Sequence, residues 1–523
     1  MGAPLRYFTL PFLVFAWSCC ASAQPTDLVD IANDHQLAGL SVVTRCHGEL
    51  SIDVHTGFRD IGRKLPVNEE TTFRIASISK ACVALLTAKL ADEGTLDYDA
   101  PLSSYLDTPP VHPDHPNVAL TVQHLLTHTS GIRDGAGYGG FLSASYNAAP
   151  NVPPLQDALQ PGGQFYTADM WGAQTPGTWF QYANLNFGVL ATVLEAATGS
   201  RFDALFQTWL AAPYGLDGGF TVQDLDDIDD LAVLYRQIDG QWTAQADELL
   251  GIVPAGPDWT EYYPGTNALA FAPQGGLRIS GRDLSILAQL WSSGTAQAIN
   301  GTPLQLLSDN ALEALKAVQW AYDDAGSGNG NNYYGLFNAW SHGLHLASSG
   351  LGADQVIPDV AITPFHGHPG EAYGLISDAY ATPNGEWNFV MLTNGKWSGY
   401  SPGETSAFYA VEEAVFSALR SDLLQCLAQD TPTLEDAQGQ WMAAPVRLGD
   451  TTLRLSIPLT KPSPHQFTIY DGTGKRMAGG RLDGPVQGEV QIPIPVLPAG
   501  WYAGALTGTT TSAAHRFLFW VTP

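Results

Sequence analysis

The run at 73–94, FRIASISKACVALLTAKLADEG, reads as an apolar helix with one lysine out of place at its head. Ser77 and Lys80 stand three residues apart, so on a helix their side chains share a face within hydrogen-bond reach. Both fall in the expected first turn, where unpaired N–H groups and the positive end of the helix dipole gather. That field and burial both disfavour an ammonium, which makes Lys80 easier to deprotonate than a surface lysine. A neutral amine can take the proton of an adjacent hydroxyl and turn Ser77 into a nucleophile. The Ser77 N–H can then face the oxyanion that forms. Two fixed positions in four recur by chance, so the pair alone leaves a plain surface lysine as the alternative.

Other patterns carry less. GYSPG at 399–403 has the form of a nucleophile elbow, but Ser401 lies well past the strand end expected at Thr393. The histidines that follow it, His465 and His515, fall in a C-terminal β region. His366/His368 and His112/His115 lack a third metal ligand at a convincing spacing, and the VHPDHP context of His112 reads as a solvated turn. His124 and His128 are spaced i,i+4 without the glutamate of a zinc-protease helix and read as packing residues. The acidic run DLDDIDD at 224–230 reads as a solvated face or turn, with a surface Ca²⁺ as the alternative. No cofactor or metal is expected.

A chain of 523 residues exceeds what one core supports, so two domains are expected. The net charge of −28 argues against nucleic acid or an anionic membrane as partner. MGAPLRYFTLPFLVFAWSCCASAQ joins one cation, Arg6, to an apolar run and Ala21-Ser22-Ala23, which reads as a signal peptide over residues 1–23. That run is short for a membrane span, Cys19 and Cys20 lack the context of a lipidated cysteine, and no transmembrane segment is expected later. A secreted or cell-surface protein of bacterial-type export is therefore expected. Cys46, Cys82 and Cys426 then remain, no disulfide framework, with Cys46–Cys426 pairing left open.

Residues 27–37 read as a short helix, 37–48 and 49–58 as two strands turning at Gly48, and 361–375 and 387–393 as later strands. A helix is expected over 405–424. Strands at both ends, with helices and Pro/Gly-rich loops such as 132–180 between them, predict an α/β (α+β) domain. Its antiparallel sheet is flanked by helices and carries a helical subdomain. Residues 24–426 are assigned to it, 427–445 to a linker, and 446–523 to a small C-terminal β-sandwich.

The stretch TTFRIASISKACVALLTAKLADEGTLDYDAPLSSYL resembles the nucleophile segment of the serine β-lactamase and penicillin-binding protein superfamily. Its look is nearest to class C β-lactamases, D-alanyl-D-alanine carboxypeptidases and related esterases. TVQHLLTHTSGI (121–132), PGTWFQYANLNFGVLATVLEAATG (176–199), APQGGLRISGRDLSILAQL (272–290) and FHGHPGEAYGLIS (365–377) resemble later family segments, in order and spacing. The resemblance covers about residues 25–424. It implies a β-lactamase/transpeptidase-like fold and a serine acyl-hydrolase for small ester, D-amino-acid peptide or β-lactam substrates.

Residue by residue, the resemblance implies Tyr182 as partner of Lys80 in a proton relay. An adjacent cation would favour its phenolate, and the resting base stays open between the two. Asn184 is implied to hold Lys80 or a substrate carbonyl, and His368 to donate to a substrate carboxylate or to the Tyr182 oxygen. Gly370 is implied to leave room for substrate along an edge strand, and the Glu371 N–H to be the second oxyanion donor. Pro369 departs from the family pattern, offering neither hydroxyl nor N–H, which weakens carboxylate binding and tilts the reading toward esters. The alternative function is a receptor acylated by penicillins or cell-wall peptides without turnover. FTIYDGTGKRMAGG and IPVLPAGWYAGAL resemble the type IX secretion system C-terminal sorting domain, which implies secretion machinery as a partner of residues 446–523. An ordinary accessory sandwich is the alternative there.

Overall fold

The computed structural model describes residues 25–429, except 148, 326–327, 349–352, 359 and 361–363, and beyond them the strands between 442 and 522. The leader read at 1–23 and residues 430–441 of the expected linker lie outside the described residues.

Helix α1 (Pro25–Asp34) leads into strands β1 (Gly39–Cys46) and β2 (Glu49–Asp60), which turn at His47 and Gly48, both left-handed. Three strands from the far end of the domain complete the sheet: β4 (Phe365–Ala372), β5 (Leu375–Ala381) and β6 (Trp387–Thr393), with a short β3 (His345–Ala347) beyond β4. The nine-stranded order is 320–321, 339–340, β3, β4, β5, β6, β1, β2, 65–66. Val42 pairs with Met391 and Val43 with Val390, so the two ends of the domain meet at its centre. Every position of β6 is buried, because helices cover both faces of the sheet.

One face packs on α1 and α5 (Ala410–Gln429) through Leu28, Val42, Phe389, Phe416 and Leu419. The other packs on α2 (Ser79–Asp92) and α4 (Gly281–Ser293), and α3 (Asn184–Thr198) extends that core into the helical subdomain. Helix α5 starts five residues later than the expected 405. The Glu413 carboxylate takes the N–H groups of Glu404 and Thr405 and the hydroxyls of Thr405 and Ser406, folding them into a turn before the helix. It also runs on to Gln429, past both the helix end expected at 424 and the domain boundary at 426. Cys426 near its end is bonded to Cys46 at the end of β1, and Cys82 is a free buried thiol. The C-terminal strands make one sheet of three and one of five.

Some local expectations change. His112 is fully buried, not solvated, with Nε2 donating to the Gly172 carbonyl at 2.8 Å and its ring against Trp171. In the acidic run, Asp229 and Asp230 pair with Arg63 and Arg59. His124 caps its own short helix with Thr121.

A small sheet fixes the approach to Ser77. Residues Thr72–Arg74 pair with Arg278–Ser280, and Asp247 accepts from both arginines, at 2.9 Å from Arg74 and 2.7 Å from Arg278. Burial by itself would raise the Asp247 carboxyl, but the two guanidiniums outweigh it and hold it far below the usual range. Asp247→Asn leaves two largely buried guanidiniums without a counter-charge and is expected to cost about 3–5 kcal/mol. Guanidinium chloride unfolding measures this, and a loss under about 1 kcal/mol would show the contact to be no stronger than a surface pair.

Candidate active site

Ser77 sits on a tight turn. Ala76 before it is left-handed, at φ 47°, a conformation that strains a residue with a Cβ. A single 3₁₀ turn, Ala76–Ile78, follows, and α2 begins only at Ser79. Ser77 therefore precedes the first helical turn instead of lying within it, a correction to the sequence reading. Lys80, the second residue of α2, is fully buried. Its Nζ lies 3.0 Å from Ser77 Oγ, 2.8 Å from Asn184 Oδ1 and 2.7 Å from the Gln274 carbonyl. The last two are amide oxygens and can only accept. A neutral amine gives them its two N–H bonds, and its lone pair is left to face the Ser77 hydroxyl. Burial lowers Lys80 to about 7, against the opposing pull of Asp134; burial, not the helix field, is the main cause.

Tyr182 adjoins this pair, with Lys80 Nζ 4.9 Å from its ring centre. Its hydroxyl reaches Ser77 and lies 3.4 Å from His368 Nε2. Burial pushes Tyr182 well above its ordinary value, contrary to the phenolate favoured from sequence. Burial is the largest cause, and Asp134 and Tyr333 raise the hydroxyl further against the bond from Ser77. His368 Nδ1 donates to the Pro369 carbonyl, which leaves Nε2 as an acceptor for the Tyr182 O–H. Expected as a donor toward that oxygen, the ring accepts from it. Burial, with Lys80 nearby, holds His368 well below 6.5 and thus neutral.

Asn184 opens α3 and is gripped by Asp134. That carboxylate accepts the N–H groups of Asn184 and Leu185 and the side-chain amide of Asn184, at 2.8, 2.9 and 2.9 Å. Its amide oxygen is thereby turned to Lys80. Strand β4 pairs with β3 only through 365–367, so from His368 onward it is an edge facing the Ser77 turn. A Cβ on Gly370 would stand 2.5 Å from the Ile75 carbonyl and 3.2 Å from Ser77 N. Glycine is needed for that backbone approach, beyond the room for substrate inferred from sequence. Glu371 follows and lines the cleft beside Ser77.

All seven residues singled out from the sequence, Ser77, Lys80, Tyr182, Asn184, His368, Gly370 and Glu371, thus converge on one cleft. Sequence reasoning missed the groups that hold them. Asp134 and Gln274 act through an oxygen at a distance no spacing rule covers. His128, read as packing, packs beneath Tyr182 with ring centres 4.4 Å apart, its Nδ1 accepting from the Ala183 N–H and the Asn186 amide. Ala76 carries a left-handed turn without being glycine. Of the decoys, Ser401 lies in the loop before α5, its carbonyl taking the Ala410 N–H. Among the described residues, Cys46, His47 and Cys426 are grouped closely enough for a metal, but the two sulfurs are bonded to each other.

Two cavities meet at Ser77, of about 610 Å³ on the β4–α5 side and about 580 Å³ on the other. Ser77, Tyr182 and Glu371 border both, so an acyl compound can lie across the nucleophile with a part in each.

The family described as Beta-lactamase matches residues 26–409. Esterase EstB of Burkholderia gladioli is 31% identical over 201 residues, 36% of this chain and 48% of that protein. Penicillin-binding protein 4* of Bacillus subtilis (strain 168) is 27% identical over 187 residues, 36% of this chain and 38% of that one. The matched stretch thus spans under half the length of these relatives. Among solved structures, EstCE1, a hydrolase with promiscuous acyltransferase activity, superposes with a TM-score of 0.53 at 21% identity, covering 75% of this chain and 99% of that one. D-amino acid amidase from Ochrobactrum anthropi SV3 gives 0.53 at 20%, covering 76% and 98%. With the family match running over most of its length and the same fold in these structures, the chain belongs to the Beta-lactamase family.

Proposed function

We propose that the protein is an exported serine acyl-hydrolase that cleaves esters or amides through an acyl group on Ser77. The observation that carries this reading is the Lys80 amine, buried, spending its hydrogens on two amide oxygens and facing Ser77 Oγ at 3.0 Å. Ser77 Oγ bonds to the substrate carbonyl carbon while its proton passes to Lys80 Nζ. The N–H groups of Ser77 and Glu371 receive the oxyanion. As the bond to the leaving oxygen or nitrogen breaks, the proton reaches that atom from Lys80 through the Tyr182 hydroxyl. Lys80 is the resting base in this scheme and Tyr182 a neutral relay, steadied by His368 Nε2. Water then attacks the acyl carbon along the reverse path.

Relatives named as an esterase and as an amidase support both ester and amide chemistry. Pro369, with no N–H to offer a carboxylate, favours esters and simple amides over β-lactams. Export rests on the leader read at 1–23, and the resemblance of residues 446–523 to a sorting domain makes them the part that would meet a secretion machinery.

A fluorescent fluorophosphonate and a fluorescent penicillin separate turnover from trapping. Wild type is expected to take the fluorophosphonate and to turn over p-nitrophenyl esters steadily. Ser77→Ala is expected to take no label and to lose about a thousandfold or more in kcat/KM. Permanent penicillin labelling with no turnover would make the protein a receptor instead.

Lys80 adds a pH signature. Only the neutral amine accepts a proton, so kcat/KM should climb to a plateau with a midpoint at about 7. Its folded value lies below the 10.5 of a free lysine, so between the two the unfolded chain binds more protons and stability rises with pH. Relative to Lys80→Met, which has no such titration, wild type should gain stability across that interval in chemical unfolding. A difference independent of pH would refute the lowered value.

A further inference from the structure

The two cavities that meet at Ser77 differ in chemistry. Arg74 and Arg236 line the smaller one. The larger has aromatic walls, Tyr333, Phe337, Phe408 and Tyr409, beside Tyr182. Its carboxylates are Glu371 and Glu412, and none of the described residues lining it is lysine or arginine. The imidazole in its wall, His368, is neutral for the reason given above.

Glu412 has a second carboxyl behind it. Asp378 on β5 stands opposite Pro369 of β4, and cross-strand partners project to the same face of a sheet. Asp378 is fully buried, and neither of its oxygens meets an N–H or hydroxyl donor among the described residues. Its hydrogen-bonding partner is the Glu412 carboxyl. Two touching buried carboxyls cannot both ionise, so they share a proton. Burial raises both, Glu412 to about 7, so above that pH the pair holds one proton and one negative charge between them, at the wall where Glu412 borders the cavity. Glu412 takes the Tyr409 N–H and borders the cavity; Glu371 beside it takes the Tyr409 hydroxyl at 3.0 Å. A buried carboxylate, Glu412, and an exposed one, Glu371, set among aromatic faces, attract positive charge on an apolar body.

We propose that the β4–α5 half of the cleft recognises a cationic apolar group, an alkyl- or arylammonium, carried by the ester or amide that acylates Ser77. This inference rests on the acyl-hydrolase reading and names the substrate class. A carboxylate in the same place faces Glu371 and Glu412, and Pro369 gives it no N–H.

Thioesters that differ in one atom test it. Butyrylthiocholine and its uncharged isostere 3,3-dimethylbutyl thiobutyrate are compared by kcat/KM, with an analogue bearing a carboxylate there as the third member. The cation is expected to exceed the isostere by about tenfold or more, with the carboxylate slowest. Glu412→Gln keeps the shape and the acceptor for the Tyr409 N–H, and should bring the cation-to-isostere ratio toward one; a thermal melt reports whether that variant is folded. A wild-type ratio near one, a faster carboxylate, or a ratio unmoved in folded Glu412→Gln overturns the inference. Fluorophosphonate labelling of Ser77 leaves the acyl-hydrolase reading standing in each case. If Ser77 takes no label and no thioester is cleaved, that reading falls, and calorimetry judges the cavity alone. Tighter binding of benzyltrimethylammonium than of phenylacetate supports the site, and equal or weaker binding overturns it.

Discussion

The structure depends on keeping one primary amine uncharged in a space closed to water. Burying an ammonium costs far more than burying an amine, and Lys80 is fully buried without a carboxylate in contact. Its partners come from three separate places: the turn before α2, the first residue of α3 and the loop before α4. Two are amide oxygens with no proton to give, so the amine has a defined orientation and its lone pair a defined target. Asp134 is held back by one residue: it orients Asn184 by two hydrogen bonds and takes a third from the Leu185 N–H, and it reaches Lys80 only through space. A carboxylate in direct contact would have restored the positive charge and removed the base.

The sheet explains how such distant segments come to share a slot. Pairing of β1 with β6 closes the domain, and the bond between Cys46 and Cys426 closes it again from the opposite side of the same strand ends. Strand β4 loses its outer neighbour after Gly367, and the free edge so created runs directly past the Ser77 turn. The approach is close enough that Gly370 cannot carry a side chain. Nucleophile, strand edge and the tyrosine at the head of α3 are therefore set against one another by backbone contacts, with little left to side-chain mobility.

What could be read beforehand follows from how local each signal is. Ser77 and Lys80 are legible because a spacing of three places them together on any helical turn. Tyr182, Asn184, His368, Gly370 and Glu371 were legible only through the order of family segments, since nothing in their own neighbourhoods points at Ser77. Strands β1, β2, β4 and β6 and the long C-terminal helix were visible in the apolar pattern; β5, beyond the run expected to end at 375, was not, nor was the helix start. It is decided by Glu413 reaching back to residues 404–406, a contact that periodicity does not register. Asp134, Gln274 and the Asp378–Glu412 pair were invisible for a related reason. Each acts across the fold through a single polar atom, and in sequence each sits among ordinary loop, strand or helix residues.

Charge in this cleft is sorted by depth. Burial pushes Lys80, Tyr182 and His368 each toward the neutral form, so above a pH of about 7 a proton can move among them without separating charge in advance. The charged side chains stand apart from them, Arg74 and Arg236 along one cavity, Glu412 along the other and Glu371 bordering both. A substrate reads that field as it enters, before its carbonyl reaches Ser77. Moving either set inward would couple recognition to the relay: an arginine beside Tyr182 would stabilise phenolate, and a carboxylate beside Lys80 would fix it as ammonium. Keeping the two layers apart lets the outer walls vary with the substrate while the amine and hydroxyl at the centre stay the same.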